Sequence, residues 1–199
     1  MPVDNSGIEP TFVDTGVGIT DRLSRLWAPY RMNYITNKPR GVQSTDPFLD
    51  IPKLPDAEGL IVARGEQVYC LLNLFPYNSG HCMVVPYRKV ANLEDLSPAE
   101  SAELMSFSQA LIKVMKAVSN PDAFNVGFNL GKASGGSIGD HLHLHVVPRW
   151  SGDANFMTVL GETKVLPQLL SDTRRILASE WASRSDVPGV AAPDSPEQN

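Results

Sequence analysis

The run Asp140-His141-Leu142-His143-Leu144-His145-Val146-Val147-Pro148-Arg149 constrains this chain more than any other stretch. Three of the four histidines stand there on alternate positions, with Leu142, Leu144 and Val146 between and after them. Period-two alternation reads as a β-strand, in which successive side chains point to opposite faces. His141, His143 and His145 are therefore expected on one face, presented to a cleft. The aliphatic residues take the other face and pack into a core. A core strand without a function has no use for that many imidazoles on one side.

The segments around this run read as short strands and two long helices. Leu60-Ile61-Val62-Ala63-Arg64 is a strand candidate that turns at Gly65-Glu66, and 68–75 is the next. Pro76-Tyr77-Asn78-Ser79-Gly80 has turn chemistry, and His81-Cys82-Met83-Val84-Val85-Pro86 returns antiparallel. Ser97-Pro98-Ala99-Glu100 opens a helix: serine caps, proline suits the first helical position, and Glu100 completes a capping box. Leu104, Phe107, Leu111, Met115 and Val118 form its apolar stripe, Met105 reads as core, and Asn120-Pro121-Asp122 ends it. Phe124-Asn125-Val126-Gly127-Phe128-Asn129-Leu130 is a fourth strand, and a glycine-rich loop over 131–139 leads into the histidine run. A second helix is expected over 163–181, with Pro167 in its first turn. The proline-rich stretch 37–58 reads as loop rather than core. The order hairpin, helix, hairpin, helix predicts an α+β fold with an antiparallel sheet. A flexible arm is expected over 1–20, one domain over 21–182, and a disordered tail over 183–199.

Composition narrows the function. A net charge of −5 argues against a sequence-independent nucleic-acid binder, though a cleft inside an acidic protein can still be positive. The start lacks the pattern of a signal peptide, and no run of about 18 apolar residues suggests a membrane span. Cys70 and Cys82, the two cysteines, sit in apolar surroundings and read as reduced, buried thiols of a cytoplasmic protein.

Two chemistries compete for the aligned histidines. One is metal binding: a pair at i and i+2 could ligate zinc, but His141 and His145 would lie roughly 13 Å apart at Cα, too far to share an ion easily. The other is phosphoryl-type chemistry. A neutral imidazole attacks phosphorus, its neighbours bind phosphate oxygens or protonate a leaving group, and glycine-loop amides approach phosphates closely.

The segment His141-Leu142-His143-Leu144-His145-Val146-Val147 resembles the signature of the histidine triad superfamily. Asn73-Leu74-Phe75-Pro76-Tyr77-Asn78-Ser79-Gly80-His81 resembles that family's nucleoside-binding strand and turn, and Asn129-Leu130-Gly131 with Gly135-Gly136 resembles its phosphate loop. Leu26-Trp27-Ala28-Pro29-Tyr30-Arg31 and Pro148-Arg149-Trp150 are similar to the actinobacterial diadenosine tetraphosphate phosphorylase branch. The resemblance implies a five-stranded antiparallel sheet with two main helices, continued across a homodimer, with assembly to a homotetramer also open. It implies His143 as nucleophile, with His141 and His145 binding phosphate and organising it, and His81 bonded to the triad from a neighbouring strand. Asn73 would hold ribose, Leu71, Leu72 and Met83 would wall the base, and Asn129, Gly136 and Ser137 would meet phosphate.

The implied reaction is phosphorolysis of diadenosine tetraphosphate to ATP and ADP. The alternatives are hydrolysis of dinucleoside polyphosphates or phosphoramidates, and nucleotide binding without turnover. No cofactor is implied as a requirement, although a divalent cation such as Mg can accompany the nucleotide. Two departures bear on this. Many relatives carry glutamine in the loop ahead of the triad; Gly136-Ser137 here leaves room for inorganic phosphate as acceptor. Many in the branch also carry a Cys-x-x-Cys where this chain has Asp46-Pro47-Phe48-Leu49-Asp50, so a bound zinc is not expected to transfer.

Overall fold

The computed structural model describes residues 46–134, 138–153 and 167–192. The expected N-terminal arm, the stretch 26–31, the loop residues Gly136 and Ser137, and the first residues of the expected second helix lie outside the described residues.

Strands β1 (Ile61–Arg64), β2 (Val68–Leu72), β3 (Cys82–Pro86), β4 (Ala123–Phe128), β5 (Leu144–Arg149) and β6 (Val190–Ala191) form one sheet in the order β4-β5-β3-β2-β1-β6. Every pairing is antiparallel. The described helices are the short α1 (Pro47–Asp50), α2 (Pro98–Ser119) and α3 (Leu170–Ser183). The α+β class stands as expected, with six strands among the described residues where five were expected.

The sixth strand comes from the tail that composition marked as disordered. Val190 pairs with Arg64 and Ala191 with Ala63. Gly189 makes this docking feasible. It adopts φ +70°, and a Cβ there would come within 2.5 Å of the Arg64 carbonyl oxygen and the Phe107 ring. The tail is thus held by backbone pairing and close approach, neither of which a hydrophobicity count detects. Residues 193–199 lie outside the described residues.

Both long helices cover one face of the sheet. Val62, Cys70, Leu72, Val84, Leu144 and Val146 meet Leu104, Phe107, Leu111 and Met115 of α2 and Leu177 and Trp181 of α3. The expected stripe on α2 is the one buried, but Met105 is exposed rather than core. Ser97 Oγ accepts from Glu100 N–H while Glu100 accepts from Ser97 N–H, so the capping box closes both ways. Glu100 also takes a two-pronged bond from Arg88, which holds its carboxyl down at about 2. At the other end, Asn120 takes the left-handed conformation at φ 45° and stops the helix. Glu103 accepts the N–H groups of Glu66, Gln67 and Val68, tying α2 to the β1–β2 turn.

The opposite face carries a smaller cluster of Phe48, Ile61, Tyr69, Leu71, Met83 and Val85. Phe48 belongs to the stretch expected to be loop rather than core. Asp46 caps α1 by accepting from Phe48 N–H, Pro47 starts the turn, and the resulting bend drives the Phe48 ring onto the sheet.

Candidate active site

Strand β5 sets the geometry. It begins at Leu144, so His145 lies within the sheet while His141 and His143 stand in the extended segment that enters it. Leu144 and Val146 join the helix-side core, as the alternation predicts. His145 registers with Met83, and Met83 with Leu71, on the opposite face. Leu72 pairs with Cys82 and points into the helix-side core. That placement removes Leu72 from the walls of a site on the histidine face, while Leu71 and Met83 stay on it. A one-residue step along a strand switches face, which is why the run Leu71-Leu72 was ambiguous.

All four histidines are buried in this chain rather than open to a cleft. Their protonation can be read from their partners. Tyr77 N–H donates to His81 Nδ1 at 3.0 Å, and a backbone amide can only donate, so that nitrogen is an acceptor. The proton of His81 then sits on Nε2, which donates to His145 Nδ1 at 2.9 Å. Neutral His145 in turn carries its proton on Nε2, aimed at the Asn129 amide 3.1 Å away. Amide orientation is assigned from the network, and this network turns the Asn129 oxygen toward His145. Burial, with His143 beside it, pushes the His145 imidazole down to about 4.

His143 has a different arrangement. Its Nδ1–H donates to the His141 carbonyl at 2.8 Å, which leaves Nε2 with a bare lone pair. Burial lowers its pKa, against the opposing pull of that hydrogen bond, so the neutral form prevails near pH 7. A bare lone pair on one ring beside an N–H donor on the next is an arrangement that suits nucleophilic attack on a phosphorus whose oxygens are held by hydrogen bonds.

His141 plays neither part. It is enclosed by Asp46, whose carboxylate lies 3.1 and 3.2 Å from Nδ1, and by the Pro86 carbonyl 2.8 Å from Nε2. Burial works to raise the Asp46 carboxyl, but the contacts with His141 and Lys89 outweigh it and hold it below the ordinary range. Phe48 adds ring contacts to His141 and His143 at centroid distances of 5.5 and 5.0 Å. Tyr77 lies over His81 and His145 at 4.6 and 5.5 Å. Sequence reasoning missed Asp46, Phe48 and Tyr77 as site residues. Asp46-Pro47 lies in the stretch read as loop, and nothing local links it to a histidine 95 positions on.

Asn73 is brought to the site, and its amide serves the turn. Oδ1 accepts from Phe75 N–H at 2.9 Å, and Nδ2 approaches His81 Nδ1 at 3.4 Å. Gly136 and Ser137 lie outside the described residues. Among the described residues, no three or more His, Cys, Asp or Glu side chains are grouped to hold a metal ion.

The buried neutral His145 has a consequence for stability. Below about pH 6.5 the unfolded chain takes up a proton there, whereas the folded chain resists until about pH 4. Its contribution is complete above pH 6.5 and is lost as the pH falls through that window. Between pH 6.5 and 5 the loss amounts to about 2 kcal/mol. Urea denaturation at both pH values should show a decline that is smaller in His145→Gln; equal declines in the two proteins would refute it.

Comparison with known proteins places these features. The HIT domain family profile matches residues 55–152. An AP-4-A phosphorylase of Mycobacterium tuberculosis is 58% identical over 185 residues, spanning 90% of this chain and 95% of that protein. A Zn-bound histidine triad family protein from Mycobacterium smegmatis superposes with a TM-score of 0.56 at 24% identity, over 70% of this chain and 94% of that one. A hypothetical histidine triad nucleotide-binding protein from Sulfolobus tokodaii gives a TM-score of 0.57 at 23% identity, over 69% and 93% of the two chains. At those identities the two structures speak to the fold.

Proposed function

The chain belongs to the HIT domain family, and from that premise we propose that it phosphorolyses diadenosine tetraphosphate to ATP and ADP through an adenylyl group carried on His143. The reading draws on the near full-length similarity to an AP-4-A phosphorylase. The observation that carries the covalent route is the His143 Nδ1–H bond to the His141 carbonyl, because it frees Nε2 for attack.

In the first displacement, Nε2 of His143 forms a bond to an α-phosphorus. The bridging P–O bond breaks and ATP departs as the anion, with His145 Nε2–H placed to donate a hydrogen bond to a phosphate oxygen as negative charge builds there. In the second, an oxygen of inorganic phosphate attacks the same phosphorus, the P–N bond breaks, ADP is released and His143 regains its lone pair. Two in-line steps at one nitrogen let a single pocket serve both nucleotides. His81 holds the His145 tautomer, and Asn129 stands where a phosphate oxygen would meet it. Met83 and Leu71 supply apolar surface on the same face.

No cofactor is needed for these steps, and a cation such as Mg would travel with the nucleotide. We propose a homodimer or homotetramer formed through β4, an edge strand whose Val126 is 46% exposed. We also propose a cytoplasmic location; no helix among the described residues is long and apolar enough to cross a membrane.

Product analysis with and without inorganic phosphate tests the reaction. ADP and ATP in equal amounts, formed only with phosphate, are expected. AMP and ATP formed at the same rate in its absence would replace the phosphorylase reading with the hydrolase one.

A further inference from the structure

Asp46 is a nearly fully buried carboxylate at the start of α1, outside the strands and loops that bear the histidines. It lies within hydrogen-bond distance of His141 Nδ1 through both oxygens, and Lys89 Nζ approaches Oδ2 at 3.2 Å. On the far side of the ring, Nε2 meets the Pro86 carbonyl at 2.8 Å.

Each nitrogen of His141 therefore faces oxygen acceptors. A neutral imidazole has one N–H and would turn a bare lone pair against either the carboxylate or the carbonyl. Such a clash is costly in a buried site, where no water can relieve it. With both nitrogens protonated, each contact becomes a donated hydrogen bond, and the carboxylate balances the charge. The backbone of this residue is held as well: Leu142 N–H donates to the Val90 carbonyl, so the His141–Leu142 peptide is anchored on β3's exit segment. The oxygen of that same peptide accepts from His143 Nδ1–H.

We propose that Asp46 is a positioning residue for the covalent step, which keeps His141 doubly protonated and thereby fixes the carbonyl that sets the His143 tautomer. The assignment rests on the functional reading above and adds to it a residue that touches no substrate. The logic is that of a carboxylate orienting a histidine, displaced by one residue. Asp46 orients His141 through its ring, and His141 orients His143 through its backbone. If His141 shifts, Nδ1 of His143 loses its acceptor, and the proton can move to Nε2, where attack on phosphorus is blocked. Among the described residues, the titratable groups that face this pair include Lys89 from the segment after β3, Tyr69 from β2 and His143 from its own segment. Lys89 is cationic, and burial keeps the Tyr69 hydroxyl neutral, so Asp46 supplies the negative charge that His141 meets.

Asp46→Asn and Asp46→Ala, made in the full chain, test this with two readouts. The first is the nitrogen-15 spectrum of the imidazoles without substrate. Wild type is expected to show His141 with two protons and His143 with its proton on Nδ1. In Asp46→Ala, His141 should lose one proton at neutral pH and His143 should show mixed tautomers. The second is the single-turnover rate of adenylyl transfer to the protein. Asp46→Ala should lower it by about 10- to 100-fold, the size of effect typical when an outer partner of a functional histidine is removed, with KM little changed.

Asp46→Asn keeps an oxygen for Phe48 N–H and for His141 but removes the charge. Its deficit should track the fraction of His143 whose proton has left Nδ1 in the spectrum, and a purely structural role would not show that correlation. Unchanged His143 tautomer and unchanged adenylylation in the variants would overturn the proposal. Should Asp46→Ala fail to fold, the near-isosteric Asp46→Asn decides by itself. Because the spectrum needs no substrate, it remains decisive for the positioning role even if the chain does not split dinucleoside polyphosphates.

Discussion

Replacing His143 with alanine should lower turnover of diadenosine tetraphosphate on the order of 10,000-fold or more, the scale on which enzymes lose activity when a covalent nucleophile is removed. The expectation follows from the hydrogen-bond chain. His143 presents a bare Nε2, whereas His145 carries its proton on Nε2 and His141 has acceptors against both nitrogens. Neither neighbour can substitute, because each would have to give up a buried hydrogen bond to free a lone pair. His143→Ala should also fail to form an acid-trappable adenylyl-protein, which the wild type should form when phosphate is withheld. A circular-dichroism melt that still shows a cooperative transition in His143→Ala would assign the loss to chemistry rather than to unfolding. Retention of wild-type rate would remove His143 from the mechanism. An active-site reading as a whole fails if the wild type binds the dinucleotide without turnover and without an adduct.

The largest expected effect on stability is at Trp181. Its ring is 1% exposed, packs on Phe107 at a centroid distance of 5.3 Å, and donates Nε1–H to the Pro188 carbonyl at 3.0 Å. Trp181→Ala therefore empties a large core volume and leaves the Pro188 carbonyl without that donor. Such truncations cost about 3–5 kcal/mol, a large share of a typical domain's total of about 5–15 kcal/mol. The second consequence is local. Pro188 precedes Gly189 and β6, so the tail should come away from β1 in this variant. Chemical denaturation would measure the first effect, and hydrogen exchange at Ala192 N–H, which bonds to the Val62 carbonyl, the second. A loss under about 1 kcal/mol would show that the cavity collapses around the missing ring.

How much of this was legible beforehand depended on the range of the interaction. The capping box of α2, its apolar stripe and its stop at Asn120 involve residues within a few turns of one another, and they appear as read. The helix-side burial of Leu144 and Val146 follows from strand alternation. Met105 was misplaced because its apolar character was weighed above its position: one step after Leu104, the helical rotation carries it off the buried stripe. Leu72 was assigned to the site for the same kind of reason: in a run of apolar residues, composition cannot say which one shares a face with His145. The start of α3 at Leu170 instead of the expected position near 163 is partly a matter of residues outside the described set.

The sequence alone determined that this chain carries a histidine-bearing strand within an antiparallel α+β fold, since period-two alternation and turn chemistry are properties of neighbouring residues. It also marked His81, His141, His143 and His145 as one constellation, through the motif they resemble. Only the tertiary structure decided what each histidine does. A ring nitrogen gains or loses its proton according to the partner opposite it, and those partners come from distant places: Tyr77 for His81, Asn129 for His145, Asp46 and Pro86 for His141. Tautomers are set by contacts across the fold, so no local pattern could have separated the free lone pair of His143 from the occupied nitrogens around it.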